Sequence, residues 1–78
     1  MNLLKHIKKY LNDYEYKITI TNDYINIKNY TEIKDYSGTK IIIKSKENTT
    51  TINGINLIII KMLDQELLIK GKIISIEL

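Results

Sequence analysis

The chain has 78 residues, no cysteine, no proline and no tryptophan, and its 12 lysines against nine carboxylates leave a formal net charge of +3. A chain of this length allows one domain that buries roughly 60% of its unfolded surface, and the lack of cysteine excludes a disulfide framework, thiolate metal ligands and cysteine nucleophiles. The charge is spread along the sequence and does not by itself mark an acidic partner. Eighteen isoleucines and eight leucines stand against no valine, alanine or phenylalanine, and β-branched isoleucine packs well on a pleated surface while losing rotamer freedom in a helix. No apolar run approaches the ~20 residues of a spanning helix, the longest being Leu57 to Ile60, and the start does not resemble a secretion signal. The expectation is a soluble, cytoplasmic, strand-rich protein.

Residues 1–15 read as an amphipathic helix, with Asn2 placed to cap it. Leu3, Leu4, Ile7, Leu11 and Tyr14 share one face at three- and four-residue spacing, and Lys5, Lys8, Lys9, Asn12 and Asp13 lie opposite. Such a helix either closes one end of the β structure or lies on an anionic surface. The candidate membrane or partner face is Leu3, Leu4, Lys5, Ile7, Lys8, Lys9 and Leu11.

From residue 16 to 78 the periodicity is that of a β domain. Eight short strands are expected near 17–21, 24–28, 31–36, 40–45, 49–53, 56–61, 66–70 and 72–77. One phrase recurs: an apolar residue, a spacer, Gly or Asn, two spacers, then two apolar residues around one other position. Its markers Asn22, Gly38, Asn53-Gly54 and Gly71 mark bends, because Gly and Asn tolerate positive φ at least cost. The markers 22, 38, 54 and 71 are separated by 16, 16 and 17 residues. Two architectures satisfy the pattern: a solenoid-like stack of four units, favoured by the even spacing, or an antiparallel β-sandwich or small barrel. Either leaves an apolar terminal strand without proline, a template for another copy of the chain, so a homo-oligomer is expected.

Chemistry-bearing residues are sparse. His6 is the single histidine and sits on the polar side of the expected helix, which argues against a nitrogen-ligated metal. The carboxylates fall mostly at turns and strand ends, and Ser37, Ser45 and Ser75 lack a nucleophile elbow and a histidine base. Three glycines 16 and 17 residues apart do not form a phosphate-cradling loop. Six tyrosines among lysines suit a single-strand nucleic-acid surface in principle, but arginine is absent and the tyrosines must supply every aromatic contact in the domain. No enzyme activity, cofactor, metal, small-molecule ligand or nucleic acid is expected.

Several segments resemble the YabP/YqfC family of sporulation proteins, small β-rich proteins of endospore-forming Firmicutes. The resemblance spans roughly residues 17 to 78 and is carried by Ile27-Lys-Asn29 leading to Ile33 and Tyr36, by Ile41-Ile-Ile43, by Ile52-Asn-Gly54-Ile-Asn-Leu57, and by the ending Leu68-Ile-Lys-Gly71-Lys-Ile73-Ile-Ser-Ile76-Glu77. Asn48 and Glu32 stand where the family usually has glycine, Lys28 replaces an acidic residue, and the turn at Asn22-Asp23 is one residue short. The resemblance implies a non-enzymatic protein made in the mother cell, contributing to the spore envelope and often encoded with a membrane-protein partner. It brings no catalytic residues; Asn22, Gly38, Asn48, Gly54 and Gly71 are structural turn positions. Three functional expectations follow: a self-associating module of spore-envelope assembly, a peripheral adaptor docking through the basic helix on a membrane or membrane protein, and a Lys/Tyr nucleic-acid binder as the weakest.

Overall fold

The computed structural model describes residues 15–46 and 48–78. The expected helix, with Leu3, Leu4, Lys5, Ile7, Lys8, Lys9 and Leu11, falls outside the described residues. The elements are all strands: β1 Lys17–Ile20, β2 Tyr24–Lys28, β3 Glu32–Tyr36, β4 Lys40–Ser45, β5 Asn48–Leu63 and β6 Glu66–Glu77. Where residues alternate, as in β2 and β4, the aliphatic set points one way and is buried, as the two-residue period of a pleated strand requires.

Side chains close the two short hairpins. At Asn22-Asp23 the Thr21 N–H donates to the Tyr24 carbonyl at 2.9 Å, and the Thr21 hydroxyl accepts the Tyr24 N–H at 3.2 Å. At Gly38-Thr39 the Ser37 hydroxyl accepts the N–H groups of Thr39 and Lys40 at 3.3 and 3.0 Å. Both turns thus carry a local hydroxyl that stands in for a missing backbone partner.

The strands form one antiparallel sheet in the order β1-β2-β6-β5-β4-β3. This is not the expected stack of four coils, in which equivalent strands would lie parallel, because every pairing observed is antiparallel. The count differs as well. The segments 49–53 and 56–61 run together as β5, and 66–70 and 72–77 run together as β6.

That continuity folds the sheet over. Residues 58–63 of β5 pair with 66–70 of β6 beside β2, whereas residues 48–53 of β5 lie between β4 and the end of β6. A straight β5–β6 hairpin would hold these two halves far apart, since a 16-residue strand spans roughly 50 Å. Yet the Tyr16 hydroxyl, beside β1, donates to Thr50 Oγ1 at 2.7 Å, and Ser45 Oγ donates to the Asn29 carbonyl at 2.6 Å. The two halves therefore lie face to face. Ile25, Ile27, Leu67 and Ile69 from one and Ile41, Ile43, Ile52 and Leu57 from the other make a single buried cluster, each aliphatic worth roughly 1.5–3 kcal/mol when removed from water. The buried polar residues Ser45 and Thr50 belong to the two cross-half hydrogen bonds just named, so neither leaves an unmet polar group.

The fold-over is made at Gly54 and Gly71. A Cβ on Gly54 would overlap the Lys72 carbonyl oxygen and lie 2.8 Å from Leu57 Cδ2. Gly71 has φ +143, and a Cβ there would lie 2.8 Å from the Asn56 carbonyl oxygen. Asn56 itself has φ 55, the left-handed conformation that asparagine adopts at low cost. The ladder shifts register between Asn53 and Gly54 and again between Ile55 and Ile58, so β5 and β6 bend through paired irregularities.

The four markers do not share one backbone environment. Asn22 and Gly38 sit in hairpin turns; Gly54 and Gly71 sit inside strands. What the registers contain is a two-fold correspondence: Ile52 opposes Ile76 as Ile69 opposes Ile59, Asn53 opposes Ser75 as Lys70 opposes Ile58, and Ile55 opposes Lys72 at the centre. The β1–β2 hairpin flanks β6 as β3–β4 flanks β5, with Ile25 opposite Ile69 and Ile41 opposite Ile52. The correspondence breaks at Leu57, 2% exposed, whose counterpart Ile74 is 62% exposed. The cause is the β3–β4 turn, which covers Leu57 through Leu57 N–H to the Gly38 carbonyl at 2.8 Å and Gly54 N–H to the Thr39 carbonyl at 3.0 Å.

Substitution should separate these glycines. Gly54→Ala and Gly71→Ala are each expected to destabilise by about 2 kcal/mol or more, because rigid backbone occupies the space. Gly38→Ala, with nothing within 4 Å of the added methyl, should stay within about 0.5 kcal/mol of the parent. Urea denaturation of the three variants checks the ranking, and equal losses would remove the special role of the bend.

Candidate functional site

Folding the sheet over leaves two seams where its halves meet without a ladder. At the first, β3 approaches the end of β5. The Ile59 N–H, turned away from β6, donates to the Tyr36 hydroxyl at 3.1 Å, and the Tyr30 hydroxyl donates to the Leu63 carbonyl at 3.3 Å. These two phenols occupy backbone groups that a neighbouring strand would otherwise seek. The exposed β3 edge is blunted differently. Lys34 is looped out at a register shift between Ile33 and Asp35, and it lies 4.0 Å from the Glu32 carboxylate.

The second seam lies between β1 and the end of β6. The β2–β6 ladder stops at Tyr24 opposite Lys70, so the outer edge of residues 72–77 carries no strand among the described residues. Among the described residues no tyrosine hydroxyl caps it. Ile74 and Leu78 are exposed there, and a cleft of about 300 Å³ opens beside Tyr16, Ile18, Asn48, Thr50 and Leu78. The floor of this cleft is the Tyr16–Thr50 hydrogen bond. Burial of the phenol raises the Tyr16 pKa above 10.0, partly offset by the bond to Thr50.

The turn residues expected from sequence are not gathered into one place. Asn22 and Gly38 lie at separate hairpin tips, and Gly54 and Gly71 meet at the bend. Asn48 opens β5 as a strand residue, and Lys46, in the turn before it, is left-handed with φ 48. Glu32 likewise lies in a strand and needs no glycine-like backbone. The residues that shape the seams, Tyr16, Tyr30 and Tyr36, were visible in sequence only as tyrosines with no other aromatic to share their work. Among the described residues no group of three histidine, aspartate or glutamate side chains is placed to hold a metal ion. No helix among them is long and apolar enough to cross a membrane.

The Tyr16–Thr50 bond gives a pH-dependent expectation. Tyr16→Phe leaves a buried threonine hydroxyl without its partner and should cost about 1–2 kcal/mol near neutrality. Because the folded-state pKa is raised, the tyrosine's contribution is complete below pH 10.0 and is lost as pH rises through the folded value. The stability gap between parent and variant, measured by urea denaturation at pH 8 and then above pH 10.0, should therefore narrow on the alkaline side; a constant gap would show that the phenol is not buried as described.

Comparison with family models, with curated proteins and with solved structures gives no match.

Proposed function

We propose that this protein is a non-enzymatic β module that associates with copies of itself and contributes to building the spore envelope from the mother cell. The observation that carries the self-association is the outer edge of β6 from Lys72 to Glu77. It carries Ile73, Ile74 and Ile76, lacks proline and has no strand beside it among the described residues. Such an edge presents a row of N–H and C=O groups to any strand of matching length. The contrast with β5 supports the choice of edge, because there two tyrosine hydroxyls occupy the corresponding groups.

The spore-envelope role rests on the resemblance of residues 17 to 78 to YabP/YqfC proteins. A membrane-protein partner belongs to the same reading. Dispersal of the chemistry-bearing residues supports a role without catalysis, since the seams hold hydroxyls already committed to structural bonds.

Size-exclusion chromatography with light scattering tests the assembly. The full chain should exceed monomer mass at high concentration, and Ile74→Lys, which places a charge on an already exposed edge position, should return it to monomer without lowering its melting temperature. A parent chain that stays monomeric throughout would overturn the reading. Disrupting the gene should leave spores with a disordered envelope by electron microscopy; an intact envelope would remove the sporulation assignment.

A further inference from the structure

The outward faces of the two sheet halves differ in charge. Residues opposed across a ladder share a face, so the registers sort them directly. On the β1-β2-β6-β5 half, one outward row is Lys17, Lys28, Glu66 and Leu63, and the next is Thr19, Asn26, Leu68 and Lys61. Tyr24, Lys70 and Ile58 form a third, and Lys72 opposes Ile55 at the bend. Burial agrees, since the intervening Ile25, Ile27, Leu67 and Ile69 are all in the core.

Among the described residues, five lysines thus share these rows with one carboxylate. That carboxylate, Glu66, accepts a hydrogen bond from Asn26 Nδ2 at 2.8 Å. Glu15, Asp23 and Asp64 stand beyond the ends of the rows. The opposite half mixes its charges: Glu32, Asp35 and Glu77 lie in outward rows with Lys40 and Lys44, and Lys34 and Lys46 stand exposed at the β3 register shift and in the β4–β5 turn. The strand rows of the first half are therefore richer in unmixed lysine than those of the second.

Aliphatic side chains accompany the lysines. Ile55, Ile58 and Leu63 are 44%, 53% and 50% exposed on this same face, and Ile60, at the register shift of β5, is exposed beside them. Cations set among exposed aliphatics are the composition of a surface that enters the headgroup layer of a bilayer, where apolar groups bury at the acyl boundary and lysines meet anionic headgroups. A single-strand nucleic-acid surface would need stacking aromatics, and Tyr24 is the one aromatic in these rows.

We infer that the outward face of the β1-β2-β6-β5 half is a docking surface for an anionic lipid bilayer, with Lys17, Lys28, Lys61, Lys70 and Lys72 contacting headgroups and Ile55, Ile58 and Leu63 entering the interface. The occupant follows from charge complementarity together with the exposed aliphatics. This surface meets the β6 edge at Lys72 alone.

Cosedimentation of the full chain with vesicles of equal parts phosphatidylcholine and phosphatidylserine tests it, with pure phosphatidylcholine vesicles as the uncharged reference. Binding is expected to the mixed vesicles alone. Lys61→Gln with Lys70→Gln should weaken it roughly 25-fold, taking about fivefold per lysine near an anionic surface. Lys34→Gln with Lys40→Gln, an equal loss of charge elsewhere, should leave it within about twofold. Ile58→Asn should weaken binding with no change in charge. Circular dichroism and melting temperature identify any variant that fails to fold, and Lys17→Gln with Lys28→Gln then serves in place of the first pair. No binding by the parent, or equal loss from the two lysine pairs, would overturn the inference. So would binding that survives the sheet-face variants but is abolished by Lys5→Gln, Lys8→Gln and Lys9→Gln together. A single-stranded oligonucleotide that displaces the vesicles through the same lysines would assign the face to nucleic acid instead.

Discussion

The close approach of β5 and β6 at Gly54 and Gly71 governs the rest of the structure. Two glycines let two carbonyl oxygens, those of Lys72 and Asn56, occupy the places where side chains would begin. Around that point the long hairpin bends, and the bend brings Ile25, Ile27, Leu67 and Ile69 onto Ile41, Ile43, Ile52 and Leu57. Without it, a chain of this size would present a flat sheet with one face uncovered, and no helix among the described residues covers it. Core formation here is the consequence of a backbone contact, not only of hydrophobic pattern.

The hydrogen bonds between the halves fit that view. Tyr16 to Thr50, Ser45 to the Asn29 carbonyl and Ile59 N–H to Tyr36 each join residues from opposite sides of the fold. Each is worth about 1 kcal/mol net, so the buried isoleucines dominate the energy while these bonds fix the register in which the halves meet. Two of them also employ a phenol, which supplies ring area and a hydroxyl in one side chain. That economy suits a domain with neither phenylalanine nor tryptophan.

Much of the strand content was legible from alternation. β2 and β4 lie where Ile25/Ile27 and Ile41/Ile43 place them, and the turns at Asn22-Asp23 and Ser37-Gly38 are where turn residues cluster. The later half was misread for a physical reason. Asn53-Gly54 has the composition of a tight hairpin, but here glycine is selected by the Lys72 oxygen lying against it, and a local pattern carries no information about a residue 18 positions away. Four look-alike phrases likewise conceal two different uses of glycine and asparagine, in turn and in bend. The outward lysine rows were illegible because Lys17, Lys28, Lys61, Lys70 and Lys72 become neighbours only through the β1-β2-β6-β5 order; in sequence they read as evenly scattered charge.

The insertion of β6 between β2 and β5 also sets an order of events during synthesis. β3, β4, β5 and β6 are neighbours in sequence and can pair as they emerge, each closing a short loop. β2 must wait for Leu67 and Ile69, about forty positions later, before Ile25 and Ile27 find cover. Throughout that interval the early hairpin is a nascent, unsheltered pair of strands, marginal by itself in water. Its docking is the high-contact-order step of this topology, and the period in which crowding of nascent chains is most hazardous.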